Sequence, residues 1–146
     1  MKVRDSVEIA APPEKVWPLL VDPENILKWC ITFRKFEYSG NQHSGVGTTF
    51  YIEEKAGGPL MKLNFRAEEW QKNRRLTFRM VSGNSVKLYR QVWTIDPIPS
   101  GSRFIFSERV ELPYGFIGKL MELFARRGSE ATVKKMLAKL KNLAEA

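Results

Sequence analysis

Two neighbouring segments in the second half of the chain alternate apolar and polar residues with a period of two. Across residues 85–95, Val86, Leu88, Val92 and Thr94 share one face, and Arg90 falls among them. Across residues 102–112, Phe104, Phe106, Val110 and Leu112 share a face with Glu108. Period two places each set on one side of a sheet. A hairpin around Pro97-Ile98-Pro99-Ser100-Gly101 sets Arg90 across from Glu108. An ion pair on an otherwise apolar face predicts a lined cavity there, not a solid core.

Upstream, residues 2–10 form a strand with Val3, Asp5, Val7 and Ile9 on one face and Lys2, Arg4, Ser6 and Glu8 toward water. Pro12-Pro13-Glu14 opens a helix, because proline suits a first turn and glutamate suits its dipole. Val16, Trp17, Leu19 and Leu20 give that helix an apolar side. Pro18 removes a backbone donor, so the helix is short, bent and finished near Val21. Asp22 caps a second short helix whose inner surface is Ile26, Leu27 and Trp29. The period then returns to two. Residues 31–38, 47–55, 61–71 and a segment around Leu76, Phe78 and Met80 read as strands. Ala56-Gly57-Gly58-Pro59, Asn73-Arg74 and Ser82-Gly83-Asn84 turn the chain between them.

Residues 114–146 are helical in composition, with two apolar stripes. Phe116, Ile117, Leu120, Phe124 and Ala131 form the first, and Val133, Met136, Leu137, Leu140, Leu143 and Ala144 form the second, turned by roughly half a revolution. The change falls at Arg126-Arg127-Gly128-Ser129. Either the helix breaks there, as a kink or a hinged lid, or its first half faces something other than the sheet.

Length and composition narrow the class. A chain of 146 residues fits one domain, residues 1–146, and 43% hydrophobic residues supply a core. No apolar run approaches the ~20 residues of a membrane span. Met1-Lys2-Val3-Arg4-Asp5 carries acid and base with no apolar run behind it, so no secretory signal is expected. Cys30 is the single cysteine, which excludes an intrachain disulfide. These features point to the cytoplasm. The net charge of +8 is spread along the chain, as a solvated surface would have it.

Candidate chemistry is sparse. Arg90 and Glu108 are the sharpest pair: they serve as a structural ion pair, as anchors for a ligand carboxylate or ketone, or as acid and base. Glu54 shares the phase of Phe50 and Ile52, and Glu69 that of Met61, Leu63 and Phe65, but both lie near strand ends and are expected to face solvent. His43, the one histidine, sits in a polar turn and does not suit a catalytic triad. Cys30 reads as a packing residue. One cysteine and one histidine do not make a zinc site, so no metal is expected. Gly45-Val46-Gly47 lacks the lysine and the following helix of a phosphate loop. Lys119, Arg126, Arg127, Lys134, Lys135, Lys139 and Lys141 make the last helix basic. A solvated face partly paired to Glu122, Glu130 and Glu145 is the plainest reading, and of the functional ones an anionic membrane surface near Phe116, Ile117 and Phe124 comes before nucleic acid, since the helix has no regular aromatic platform.

The order of strand, two short helices, six strands and one long helix resembles the START-like superfamily, the helix-grip fold of birch-pollen-allergen type proteins. The likeness is carried by Ser6-Val7-Glu8-Ile9, Ala11-Pro12-Pro13-Glu14-Lys15-Val16-Trp17, Asp22-Pro23-Glu24, Asn73-Arg74-Arg75-Leu76-Thr77-Phe78-Arg79, Gly101-Ser102-Arg103-Phe104 and Leu140-Lys141-Asn142-Leu143-Ala144-Glu145. In detail it is similar to the polyketide cyclase/dehydrase-like (SRPBCC) branch and spans almost the whole chain. The resemblance implies an α+β fold in which a seven-stranded, curved antiparallel sheet grips the C-terminal helix around a ligand cavity. The expected lining is Phe50, Ile52, Leu63, Phe65, Leu76, Phe78, Met80, Leu88, Arg90, Val92, Phe106, Glu108, Val110, Leu120 and Phe124. It also implies a small hydrophobic ligand, such as a lipid, isoprenoid or polyketide, and no cofactor. The alternatives are a cyclase or dehydratase using Glu108 and Arg90, or an interaction protein using its basic helix on a membrane or RNA. The sequence leaves the oligomeric state open.

Overall fold

The computed structural model describes all residues, 1–146. Seven strands make one antiparallel sheet: β1 (Lys2–Ile9), β2 (Phe33–Ser39), β3 (Thr49–Glu54), β4 (Met61–Gln71), β5 (Arg75–Gly83), β6 (Leu88–Ile98) and β7 (Gly101–Glu111). Their order across the sheet is β1-β7-β6-β5-β4-β3-β2, so the first two strands form the two edges. Three short helices join those edges, α1 (Pro13–Val16), α2 (Pro18–Val21) and α3 (Pro23–Trp29). The sheet wraps α4 (Gly115–Glu145). No helix is long and apolar enough to cross a membrane.

The prolines set the helical segment. Pro18 stands at the first position of α2, where its missing N–H costs nothing, so the one bent helix expected over residues 12–21 is two separate turns. Asp22 caps α3 by accepting from the Glu24 N–H at 3.0 Å. Gly101, at φ +140°, lets β7 start against the end of β1. A Cβ there would lie 2.3 Å from the Ile9 carbonyl oxygen, and Ser102 Oγ donates to the Ala11 carbonyl at 2.7 Å beside it.

Rings fill the inner face of the sheet from β2 across to the first half of β7. Phe36, Phe50, Phe65, Phe78, Trp93, Trp29 and Phe104 pack edge-on, tilted or stacked with centroids 4.9–5.7 Å apart. Ile52, Leu63 and Leu76 are buried among them. α4 is continuous through Gly128, with no break. Its second half docks through Val133, Met136, Leu137, Leu140 and Ala144, all buried. Lys134 pairs with Asp5 at 3.3 Å, and Glu145 accepts from the Ala10 N–H at 2.8 Å. Its first half meets the sheet's edge through the buried Gly118 and through Glu122, which accepts from the Leu112 N–H and from the Met1 amino group at 3.0 Å each, while its apolar stripe is left uncovered. Phe116, Ile117, Leu123 and Phe124 are 64–87% exposed there.

The outer face carries a row of cations in register. Lys2 lies opposite Arg109, Arg109 opposite Arg90, Arg90 opposite Arg79 and Arg79 opposite Arg66. Glu68 lies between two of them, 3.5 Å from Arg79 Nε and 3.4 Å from Arg90 Nε.

Candidate functional site

The β6 register decides the site. Tyr89, Gln91, Trp93 and Ile95 are buried, whereas Leu88, Arg90, Val92 and Thr94 alternate with them on the outer face. Arg90 therefore lies across from Arg109 and pairs with Glu68, while Glu108 lies across from Gln91 on the inner face. The expected Arg90–Glu108 pair does not exist. Both faces of this strand hold apolar residues, and the larger aromatic set, Tyr89 and Trp93, takes the inner side because it removes more surface from water. Val86, just before the strand, is still buried, so the phase changes between Val86 and Leu88.

The inner set forms a hydrogen-bonded chain. Trp93 Nε1 donates to Gln91 Oε1 at 2.8 Å, Gln91 Nε2 donates to the Tyr89 hydroxyl at 2.9 Å, and that hydroxyl donates to Glu54 Oε1 at 2.8 Å. Thr32 Oγ1 donates to Glu54 Oε2 at 2.7 Å. Glu54 is 5% exposed, which corrects the expectation that it faces solvent. It ends β3, but the β2–β3 pairing runs one step further, with the Lys55 N–H bonded to the Thr32 carbonyl at 2.9 Å, and the Thr32 and Tyr89 hydroxyls close on the carboxyl. Glu69 sits differently. It is half-exposed and held by Thr77 and Arg75 at 2.7 and 3.1 Å.

Beside this chain a cavity opens between the sheet and the first half of α4. One lobe, about 470 Å³, is lined by Thr32, Glu54, Gln91, Phe106, Glu108, Phe124, Ser129, Val133 and Met136, among others. A second lobe, about 300 Å³, is lined by Met61, Val86, Tyr89, Val110, Tyr114 and Met121, among others. The two share Glu54, Ala56, Gly57, Glu108, Ala125 and Ser129. A basic groove formed by Lys2, Lys87, Arg109, Lys119 and Arg126 lies alongside.

Of the residues expected to line a pocket, Phe106, Glu108, Val110 and Phe124 are at this cavity. Phe50, Ile52, Leu63, Phe65, Leu76 and Phe78 belong to the filled core. Met80 is partly buried at the edge of that core. Leu88, Arg90 and Val92 are on the outer face. Leu120 is 41% exposed on α4. Sequence reasoning missed Thr32, Tyr89 and Gln91. Their signal was an amide set between two large aromatics in one phase, a placement that makes sense only if the amide is bonded inside.

Burial dominates the electrostatics. It pushes the Glu108 carboxyl up to about 8, with the neighbouring Glu54 charge adding to the rise and Tyr89 opposing it. Burial also raises Glu54, against the hydrogen bonds from Thr32 and Tyr89. Burial raises the Tyr89 hydroxyl and the Cys30 thiol, each beside both carboxylates. At neutral pH Glu108 is thus mainly a neutral acid that faces a cavity. His43 is remote and stacks on Tyr38 at 5.0 Å.

Comparisons with known proteins place the chain. The crystal structure of TTHA0849 from Thermus thermophilus superposes with a TM-score of 0.82 at 23% identity, covering 99% of this chain and 97% of that one. A START superfamily protein from Mycobacterium smegmatis gives 0.77 at 16% identity, with 97% and 98% covered. The Zhui aromatase/cyclase from a Streptomyces species gives 0.72 at 18% identity, with 99% and 90% covered. At these identities the likeness establishes the fold. The uncharacterised Mycobacterium tuberculosis protein Rv2574 is 26% identical over 106 residues, 71% of this chain, and the match spans 62% of that relative's length. Residues 1–145 match the model of one family throughout, and the chain belongs to that family, described as polyketide cyclase / dehydrase and lipid transport, with its START-like helix-grip fold.

Proposed function

We propose that the protein binds a small, mostly apolar ligand between the sheet and the first half of α4 and acts in the cytoplasm. The observation that carries this reading is the two-lobed cavity, about 470 and 300 Å³, left open at one end of a sheet whose other end is packed solid. Such a volume suits a drug-sized or lipid-sized molecule. Its walls mix apolar side chains, among them Phe106, Val110, Met121 and Met136, with polar groups that include Thr32, Glu54, Tyr89, Gln91, Glu108 and Ser129, and the second lobe is the more apolar. The cavity supplies burial, and Glu108 fixes the ligand's polar end. Exchange of ligand takes place at an anionic membrane. Support for that comes from the exposed Phe116, Ile117, Leu123 and Phe124 beside Lys119, Arg126 and Arg127, an apolar stripe with cationic flanks at the cavity mouth.

The test is native mass spectrometry of the protein after exposure to a total lipid extract. A retained small molecule, absent from an Ala125→Trp variant that melts normally, supports the reading. No retained mass in either protein, and no uptake of an apolar fluorophore, overturns it.

Glu108 favours one second reading, an acid/base enzyme of the cyclase or dehydratase kind. A carboxyl held near pH 8 beside a tyrosine is a general acid at neutral pH, able to protonate a carbonyl or a departing hydroxyl. Turnover of a poly-β-ketone that disappears in Glu108→Gln supports it. Turnover that survives the substitution removes Glu108 from any such role.

A further inference from the structure

We propose that this cavity selects amphiphiles whose head is a basic nitrogen, a long-chain primary amine being the simplest case, and rejects fatty acids. The inference deepens the cavity reading above and rests on it.

Both lobes converge on two carboxyls, Glu54 and Glu108, and no lysine, arginine or terminal amino nitrogen lies within 4 Å of either. This is an acidic site with no direct ion pair inside a protein of net charge +8. Glu54 is already satisfied, one oxygen by Thr32 and the other by Tyr89. Tyr89 stands beside both carboxyls, but its single proton goes to Glu54, which leaves Glu108 facing the cavity.

The one cation that draws the Glu108 carboxyl down is the Met1 amino group, and its donors are already engaged elsewhere. From β6 come Tyr89 and the neutral Gln91, and from the end of α3 comes the buried Cys30 thiol. The α4 wall of the first lobe includes Phe124, Ala125, Gly128, Ser129 and Thr132, none of them charged, and α4 adds Met121 and the acid Glu122 to the second. Lys55 is exposed at the rim, and the Met1 amino group is held by Glu122 at 3.0 Å and by the Val110 carbonyl at 2.7 Å.

An ammonium head supplies what Glu108 lacks, charged donors and an opposite charge in a place poor in water. A carboxylate head would bring a third acid to the pair, and like charges at that range disfavour one another. An alcohol offers one neutral hydrogen bond. The order of affinity is therefore amine, alcohol, carboxylate at equal chain length. Full engagement of the amine takes the proton from Glu108, so amine binding strengthens as pH rises toward 8.

Displacement of Nile red from the full chain by dodecylamine, dodecanol and dodecanoate, each below its aggregation limit, tests this at pH 7 and pH 9. Dodecylamine is expected to bind at least about tenfold tighter than dodecanol, with dodecanoate weakest. The amine is expected to tighten between pH 7 and 9, and to fall to the alcohol's level in Glu108→Gln. Equal binding of amine and alcohol, best binding by dodecanoate, or an amine preference that survives Glu108→Gln overturns the head-group inference and leaves the cavity reading standing. No binding of Nile red or of any of the three overturns both.

Discussion

Glu108 stores a pH dependence that is visible without any ligand. Its folded carboxyl stays protonated until about pH 8, whereas an unfolded glutamate ionises near pH 4.3. Between those values the folded state holds more protons than the unfolded state, so this group's contribution to stability is fullest below about pH 4 and drains as pH rises to 8. Glu108→Gln removes the drain. Urea unfolding is expected to show the variant more stable than the parent at pH 8 by at least about 1 kcal/mol, with the gap closing toward pH 5. Tyr89 is the opposite case. Its hydroxyl takes a bond from Gln91 and gives one to Glu54, so Tyr89→Phe leaves a buried amide N–H and a buried carboxylate oxygen short of partners. A loss of about 1–3 kcal/mol is expected in the same measurement. These roles were half-legible. Glu54 shared its phase with Phe50 and Ile52, which indicates an inward side chain, but its place at a strand end argued for water. What reversed that argument, the hydroxyl bonds from Thr32 and Tyr89, joins segments 22 and 35 residues apart and has no local signature.

At the scale of elements, periodicity told strand from helix far better than it told inside from outside. β4 ends where its alternation ends, at Met61 and Gln71, because one face is apolar and the other is Lys62, Asn64 and Arg66. β6 has apolar residues on both faces, so alternation alone could not orient it, and a one-residue error sent Leu88, Arg90 and Val92 to the wrong side. In α4 the half-turn between two apolar stripes is real, but the helix does not break to produce it. The first stripe is simply left uncovered. Gly128 is then a plain weak point, with nothing within 4 Å of where its Cβ would stand. Gly128→Ala is expected to raise the melting midpoint, by about 0.5–1 kcal/mol of added stability. The outer cation row is a cost of another kind, since like charges directly opposite one another on a sheet are destabilising. Arg79 faces arginine on both neighbouring strands and has only a share of Glu68. Arg79→Thr is expected to gain a few tenths of a kcal/mol in dilute buffer and nothing in about 1 M salt, where the Debye length falls to about 3 Å.

For the whole molecule, the sheet grips two different things. Aromatic rings interlock across it from β2 to Phe104 in the first half of β7, and further along β7, at Glu108 and Val110, it stands off α4 around a cavity. The connections match the division: α1 to α3 bridge the sheet's two edges and α3 sends Trp29 into the solid part, whereas α4 and the loop holding Ala56 and Gly57 cover the cavity. Stability and binding should therefore separate by mutation. Phe65 is 1% exposed and touches Phe50, Phe78 and Tyr89 at ring distances of 5.2–5.6 Å, so Phe65→Ala is expected to cost about 3–5 kcal/mol. The variant is expected to bind an apolar fluorophore as the parent does at temperatures where it is still folded. Ala125→Trp fills the region common to both lobes, on a helix face that packs against nothing, and is expected to abolish fluorophore binding with a change in stability under about 1 kcal/mol. Denaturant melts and fluorophore titrations of the two variants, taken side by side, check the division. If Phe65→Ala lost binding in its folded state, or if Ala125→Trp unfolded the protein, the cavity and the core would be one cooperative unit, and the open end would be a fault in packing and not a site.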